Sequence, residues 1–561
     1  MALDLTAEQR QMGQANFKGA SEDLSRRGFM KSLAAGAAVV PVGAAVYFGY
    51  ETFHGKPVKA ALIGTGDEGG VLLGEHNKDF IEFVAACDIR PSNRKRIIEG
   101  DPKVALRKGF KKIYGDEYAQ EIDQKHFYLD YREMLDKEKD IEAVVIALPL
   151  HLHAPVAIEC MEKYNKHVLC EKLMAGTIEE CRQMIQTAKK TNRILSIGHQ
   201  RHYSMLYAQS LELLQSGVIG DIKHIRALWH RNFSWKWEAE PGMELAMGVQ
   251  QPYYRDGWTQ PILKNDYDAL HDKLKGDLKD HMYGYKDIEE LVRWRLAART
   301  GGGLMAELGS HQLDACSIFL GKVHPIAVQG VGTRSFFGGL NDKPFRNNRE
   351  IFDHVFVNFE FPGKNHPHGP NKGTDKDDVV VMTYSSVSTN GFEQYGECLM
   401  GSRGTLLVES EQTAMLFKEN EPGKKPAPPR STTLSVQSAG AGAPALASGA
   451  TWGGPAAGAA PAATVGGGGD QVKVSRGYKE EMEDFAYCIR RWDDKIGYQK
   501  KDKSEEYVQR LPRCHGEVAM ADAVVALYAN EAMKNNQRLY FTDDCFKADS
   551  TAKPSAEHPK G

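Results

Sequence analysis

The chain of 561 residues is long enough for two to four domains, each with its own core. Its 71 basic and 74 acidic residues are interspersed and leave a net charge of −3, which excludes an electrostatic footprint for nucleic acid. The nine cysteines are scattered, with no C-x-x-C pair and no even framework, so a disulfide scaffold and a zinc site are both excluded.

In chain order, the first signal is Ser25-Arg26-Arg27-Gly28-Phe29-Met30-Lys31 ahead of an alanine-rich apolar run from Ser32 to Tyr50. Two arginines directly before a short apolar segment match a twin-arginine export signal. Residues 1–50 are therefore expected to engage the twin-arginine translocase and deliver a periplasmic protein, either cleaved near Gly43-Ala44 or retained as a membrane anchor. That route exports folded proteins, which suits a domain loaded with cofactor in the cytosol.

From Val58 to Asp88 the pattern is strand, glycine turn, helix, strand. The apolar run Val58–Ile63 ends in Gly64-Thr65-Gly66-Asp67-Glu68-Gly69, spaced G-x-G-x-x-G, and a second run from Ile81 to Cys87 closes on Asp88. In this pattern Gly64 permits the tight turn, Gly66 lets backbone approach a pyrophosphate, and Gly69 lets helix pack on strand. The helix N-terminus offers unpaired N–H groups to phosphate. Asp88 stands where a carboxylate accepts ribose hydroxyls, and Arg90 is the nearby cation that would attract a 2′-phosphate. The carboxylate is the closer of the two, so NAD is expected rather than NADP.

Further apolar runs, Ala143–Leu148 and His167–Cys170, alternate with helical segments from Ala154 to about Tyr164 and around Tyr131–Leu135. Alternating strands and helices predict a parallel sheet with ligands at its carboxyl edge. Gly64, Asp88, Leu148 and Lys172 all fall at such strand ends. Later, Gly301-Gly302-Gly303 opens a predicted helix beginning near Leu304. There Glu307, His311 and Asp314 are spaced i, i+4 and i+7, on one face, an arrangement in which carboxylates hold an imidazole's tautomer and raise its basicity. The stretch from Trp229 to Trp258 holds four of the seven tryptophans, suited either to a sugar-ring pocket or to a packed loop or subunit contact. An insertion from Glu238 to Glu289 is expected to set substrate choice or assembly.

Pro149-Leu150-His151-Leu152-His153, His167-Val168-Leu169-Cys170-Glu171-Lys172, Gly198-His199-Gln200-Arg201-His202-Tyr203 and the Glu307, Gly309, His311, Asp314 set together resemble the glucose-fructose oxidoreductase and inositol dehydrogenase (Gfo/Idh/MocA) family. Leu173 departs from that family's Glu-Lys-Pro hallmark, and Glu307 stands where its sugar dehydrogenases usually carry aspartate. The resemblance implies an NAD(P)-dependent oxidoreductase acting on a sugar, cyclitol or related polyol, with a tightly held cofactor and a homo-oligomeric assembly. It implies Lys172, His311, Glu307 and Asp314 as catalytic. Gly64, Thr65, Gly66, Gly69, Asp88, Arg90, Leu148, His153, Glu171 and Lys172 would bind cofactor, and Gln200, Arg201, Trp235 and Trp237 substrate. A redox-neutral NAD-dependent glycosidase or lyase of the same fold, and a non-catalytic binding protein, are the competing readings.

The fold expected is α/β: a Rossmann domain over residues 57–175, then an α+β domain with a mostly antiparallel sheet over 176–420. An Ala, Gly, Pro and Ser-rich insert over 421–475 should be disordered. A helical part of the second domain over 476–548 and a disordered tail over 549–561 complete the chain.

Overall fold

The computed structural model describes residues 5–34, 55–232, 236–253, 257–275, 284–337, 349–419, 423, 475–502 and 506–558. The apolar run from 35 to 50, nearly all of the predicted disordered insert, and Trp235 lie outside the described residues.

Six strands, β1 (Val58–Ile63), β2 (Ile81–Cys87), β3 (Phe127–Tyr128), β4 (Ala143–Ile146), β5 (His167–Glu171) and β6 (Leu195–Gly198), form a parallel sheet in the order β3-β2-β1-β4-β5-β6. Their runs are apolar on both faces because helices cover both. Every residue of β4 and β5 is buried. The order reverses between β1 and β4, which opens a crevice at their carboxyl ends. Because β6 pairs in parallel with β5, the first domain runs to about residue 198 and not to 175. The helix feeding β6 is bounded by strong local signals. A Thr177–Glu180 capping box starts it, and Asn192 in the left-handed region ends it.

The second sheet has eight strands, β7 (Ile222–His230), β8 (Ala327–Thr333), β9 (His354–Pro362), β10 (Val379–Val387), β11 (Tyr395–Gly401), β12 (Gly404–Glu409), β13 (Thr413–Lys418) and β14 (Leu539–Tyr540), ordered β13-β12-β11-β7-β10-β9-β8-β14. All pairs are antiparallel except β7 with β10, which is parallel. One face carries Ala227, Leu399, Leu406 and Val408 into the core. At its edge lies helix α1 (Ala7–Ala34), where Asn16 Nδ2 donates to the Leu416 carbonyl of β13 at 3.1 Å and Arg10 pairs with Glu409 at 2.6 Å. Edge carbonyls that would otherwise be open to another strand are thereby covered. The twin arginines fall within α1, beyond this docked part. No helix among the described residues is long and apolar enough to cross a membrane.

The chain then returns to the first domain. Helix α2 (Tyr478–Arg490) places Met482, Phe485, Ala486 and Ile489 against Val58, Ala60, Leu62 and Phe83 of the parallel sheet. It therefore belongs to the nucleotide domain's core, contrary to the expectation that residues 476–548 complete the second domain. Helix α3 (Gly516–Asn535) packs on the second sheet's β8 and on the helix that feeds β6. The tail is also ordered as far as residue 558, since Tyr540 and Ser555 exchange backbone bonds of 2.7 and 3.0 Å. Arg182 adds a bond to the Ala552 carbonyl at 3.1 Å. Phe485 is fully buried in this returning helix. Phe485→Ala is expected to destabilise the protein by about 3–5 kcal/mol, the cost of a large cavity in a sheet–helix core. Urea unfolding should show that loss in the first domain's transition, although the residue lies some 420 positions from the glycine turn (Gly64 to Phe485).

Candidate active site

The glycine turn has the geometry its residues permit. Gly64 sits at φ +91°, and a Cβ there would fall 2.3 Å from the Ala147 carbonyl oxygen of the neighbouring strand end. A Cβ on Gly69 would fall 2.2 Å from the Gly64 oxygen, so the turn closes only with glycine at both. At Gly66 a Cβ would meet nothing nearer than Asn93 Nδ2 at 3.8 Å, and Gly66 lines the crevice, so an added side chain there would fill the space a pyrophosphate needs. Asp88 Oδ2 accepts from Thr65 N at 2.8 Å, Thr65 Oγ1 at 3.1 Å and Asn93 Nδ2 at 3.0 Å, while Oδ1 accepts from Arg90 N at 2.8 Å. The carboxylate is thus fixed on the crevice wall. These residues fit a dinucleotide.

The crevice encloses about 420 Å³. Gly64, Asp88, Arg90, Leu148, His153, Glu171, Lys172 and Glu307 line it, as do Met243, Gln260, Tyr285 and Trp294 from the second domain. Of the expected cofactor residues, His153 is buried with its ring nitrogens 2.7 and 2.8 Å from the Leu173 and Leu148 carbonyls, so it buttresses the wall. Glu171 points inward, where burial and the neighbouring Glu68 push its carboxyl well above the ordinary range. Arg90 lines the crevice with its guanidinium engaged by Asp266, as described below.

At the end of β5, the Lys172–Leu173 peptide is cis. Lys172 Nζ donates to the Glu307 carbonyl at 2.9 Å. Glu307 lies in a π-helical turn, Met305–Gly309, and a regular helix resumes at Ser310–Phe319. Such widened turns recur at functional sites. This one also changes the expected spacing, because Glu307, His311 and Asp314 do not share one environment. The Glu307 carboxylate pairs with Arg295 at 2.6 Å. Burial alone would raise its pKa, but Arg295 and Lys172 bring it below the usual range, so it is ionised. His311 is 8% exposed, with its ring 5.3 Å from that of Trp229, outside the lining of the 420 Å³ crevice. Burial, with Lys172 next, holds it well below the ordinary histidine range, so the imidazole is neutral.

Asp314 is not beside His311's ring. Its Oδ1 accepts from Lys322 at 3.0 Å and lies 2.7 Å from His202 Nε2. His199 and Asp522 complete this buried cluster, with Lys322 Nζ, 3.7 Å from Asp522, supplying the cation. Asp314 is therefore held in a buried cluster and does not line the crevice. Arg201 does not line it either. It is 1% exposed, and its guanidinium is used up by Glu397 at 2.9 Å, Glu411 at 2.6 Å and the His311 carbonyl at 2.5 Å. Burial pushes the Glu397 carboxyl up to about 7 even beside this cation. Gln200 is buried with its carbonyl under Gly477, and half-buried Trp237 bonds Tyr253; neither lines the crevice expected to receive substrate. Sequence reasoning missed Arg295, whose guanidinium carbon also stacks 4.1 Å from the Trp294 ring. The adjacent Trp294-Arg295 pair just ahead of the glycine triplet was the available signal.

With this geometry in view, residues 58–199 match the model of the GFO_IDH_MocA oxidoreductase family, NAD-binding Rossmann fold. The first domain is therefore an NAD-binding Rossmann domain of that family. The chain is 29% identical over 185 residues to a glycosyl hydrolase family 109 protein of Shewanella sp. (strain ANA-3), covering 32% of this chain and 36% of the relative. It is 32% identical over 166 residues to an inositol 2-dehydrogenase of Salmonella paratyphi B, covering 29% of this chain and 43% of the relative. The chain thus spans well under half the length of the curated relatives it matches. Among solved structures, an inositol dehydrogenase homologue from Azotobacter vinelandii complexed with NADH and myo-inositol superposes with a TM-score of 0.51 at 15% identity, over 87% of this chain and 98% of that one. This likeness extends the fold assignment to both domains.

Replacing Arg201 leaves two buried carboxylates without their cation. Arg201→Met is expected to destabilise the fold by about 3–5 kcal/mol, the scale for breaking a buried pair from one side. Chemical denaturation checks this; a variant of unchanged stability with a raised KM would restore Arg201 to the substrate site.

Proposed function

We propose that this protein oxidises a CH–OH group of a sugar, cyclitol or related polyol with NAD held in the crevice through turnover. The observation that carries the reading is the meeting of Lys172 with the Glu307 carbonyl on the crevice wall, at the carboxyl edge where a parallel sheet presents its ligands. When bound, the nicotinamide ring supplies the hydride acceptor. The chain supplies the proton chemistry. A neutral His311 takes up the hydroxyl proton, and the Lys172 ammonium stabilises the alkoxide as it develops. Arg295 keeps Glu307 ionised beside Lys172. The likeness to inositol 2-dehydrogenase supports a polyol substrate.

The likeness to glycosyl hydrolase family 109 proteins supports a second reading, in which the same residues serve a redox-neutral elimination that restores the nucleotide each cycle. Release of a free sugar without net change in nicotinamide absorbance distinguishes it. The outer face of the second sheet leaves Val331, Phe356 and Val381 exposed, which supports a homo-oligomer.

Lys172→Ala and His311→Ala should each cut turnover by about 10²–10⁴-fold, the scale of a lost acid or base. NAD binding should survive the His311 change, and near-wild-type rates in His311→Ala would make that residue structural. Since the His311 pKa is depressed, its working neutral form persists on the acid side of the ordinary value. The kcat/KM profile should therefore stay level as pH falls through 6.5 and drop only below it.

We further propose export by the twin-arginine route, supported by Arg26-Arg27 before the apolar run. Nicotinamide nucleotides are not generally supplied beyond the cytoplasmic membrane, so an exported enzyme must keep its cofactor and restore it each cycle. A crevice lined from both domains, with Met243, Gln260, Tyr285 and Trp294 contributed by the second, suits such retention. Protein from the exported fraction should carry nucleotide through gel filtration with none added. Nucleotide-free protein that needs millimolar NAD would overturn retention.

A further inference from the structure

Asp266 stands in the insertion that follows β7, in a helix spanning Lys264–Lys275, and is 0% exposed. Its carboxylate is fully engaged by the first domain. Oδ2 accepts from Arg90 Nε at 3.0 Å, Arg90 Nη2 at 2.9 Å and Ser92 Oγ at 2.7 Å; Oδ1 accepts from Ser92 N at 2.9 Å. Arg90 and Ser92 stand at the start of the helix Pro91–Glu99, immediately after Asp88, and both line the crevice. A guanidinium, a hydroxyl and an N–H of a helix's first turn form a receptor for an anion. In a Rossmann domain the cation just past β2 is the one that accommodates the 2′-phosphate of NADP. Here those donors already hold an anion, and it is part of the chain.

The remaining cation nearby does not replace Arg90. Arg96, on the same helix, is paired with Asp67 at 2.8 Å. A 2′-phosphate arriving at Arg90 would meet Asp88 and Asp266 together, and would find the Nε–Nη2 edge of the guanidinium and both Ser92 donors already committed to a buried carboxylate. A ribose with a free 2′-hydroxyl demands none of this.

We propose that Asp266 sets a preference for NAD over NADP by occupying, from the second domain's insertion, the anion receptor formed by Arg90 and Ser92. Asp88 alone disfavours a 2′-phosphate by charge, whereas Asp266 also removes the groups that would bind it. Sequence distance concealed the pair, since 176 positions separate Arg90 from Asp266.

The test is calorimetric titration of nucleotide-freed protein with NAD and with NADP, for the wild type, Asp266→Ala, and Asp266→Ala combined with Arg90→Ala. Asp266→Ala should strengthen NADP binding about tenfold or more, the scale of a charge-assisted contact made available. NAD binding should change much less. Adding Arg90→Ala should abolish the gain. The proposal is overturned if folded Asp266→Ala keeps the wild-type ratio of NAD to NADP affinity, or if the wild type binds NADP as tightly as NAD, a result that needs no variant. Wild-type protein that binds neither nucleotide would overturn the cofactor assignment itself, which is distinct from failure of the preference alone.

Discussion

A lysine at the edge of the parallel sheet needs a partner that leaves its charge available, and the Lys172–Glu307 carbonyl bond at 2.9 Å meets that need. A carboxylate in direct contact would have tied up the ammonium in an ion pair. The carbonyl orients it and leaves the Glu307 side chain to Arg295. The π turn at Met305–Gly309 makes this division possible, because backbone and side chain of one residue serve two cations. The same contact joins the carboxyl end of β5 to the start of the helix carrying His311, so the two domains meet at the site.

Much of the first domain was legible in the sequence because its signals are local. The glycine spacing, the apolar strand runs and Asp88 form a pattern that is complete within about thirty residues, from Val58 to Asp88, and the structure places them as the pattern predicts. The second domain was less legible. The spacing of Glu307, His311 and Asp314 assumes a regular helix, and a single π turn is enough to separate their environments. Arg201 looked like a ligand because charged residues are seldom fully buried. Its partners Glu397, in β11, and Glu411, in the turn between β12 and β13, lie some two hundred positions away, beyond any periodicity. For the same reason, α2 gave no sign of its place: its apolar face fits either core, and only the tertiary fold assigns it to β1 and β2.

Asp266 belongs to this illegible class, and it shows what the insertion contributes. Residues 236–275 and 284–295 add no strand to the large sheets, yet they provide the crevice with Met243, Gln260, Tyr285 and Trp294. Among their ties to the first domain are the Asp266 carboxylate with its four donors, the Lys103–Glu240 pair and the edge contact of the His151 and Tyr285 rings. Asp266 attaches this segment beside Asp88, where the ribose is expected, while Arg295 and Glu307 meet Lys172 at the end of β5. Glycine turns bind pyrophosphate through backbone groups open to solvent exchange, so they govern recognition more than residence time. Residence follows from what must move before the nucleotide leaves. On the proposed reading, the segment that would have to move carries Asp266, and its release would break the Asp266–Arg90 pair, which would tie retention to the same side chain proposed to discriminate between nucleotides.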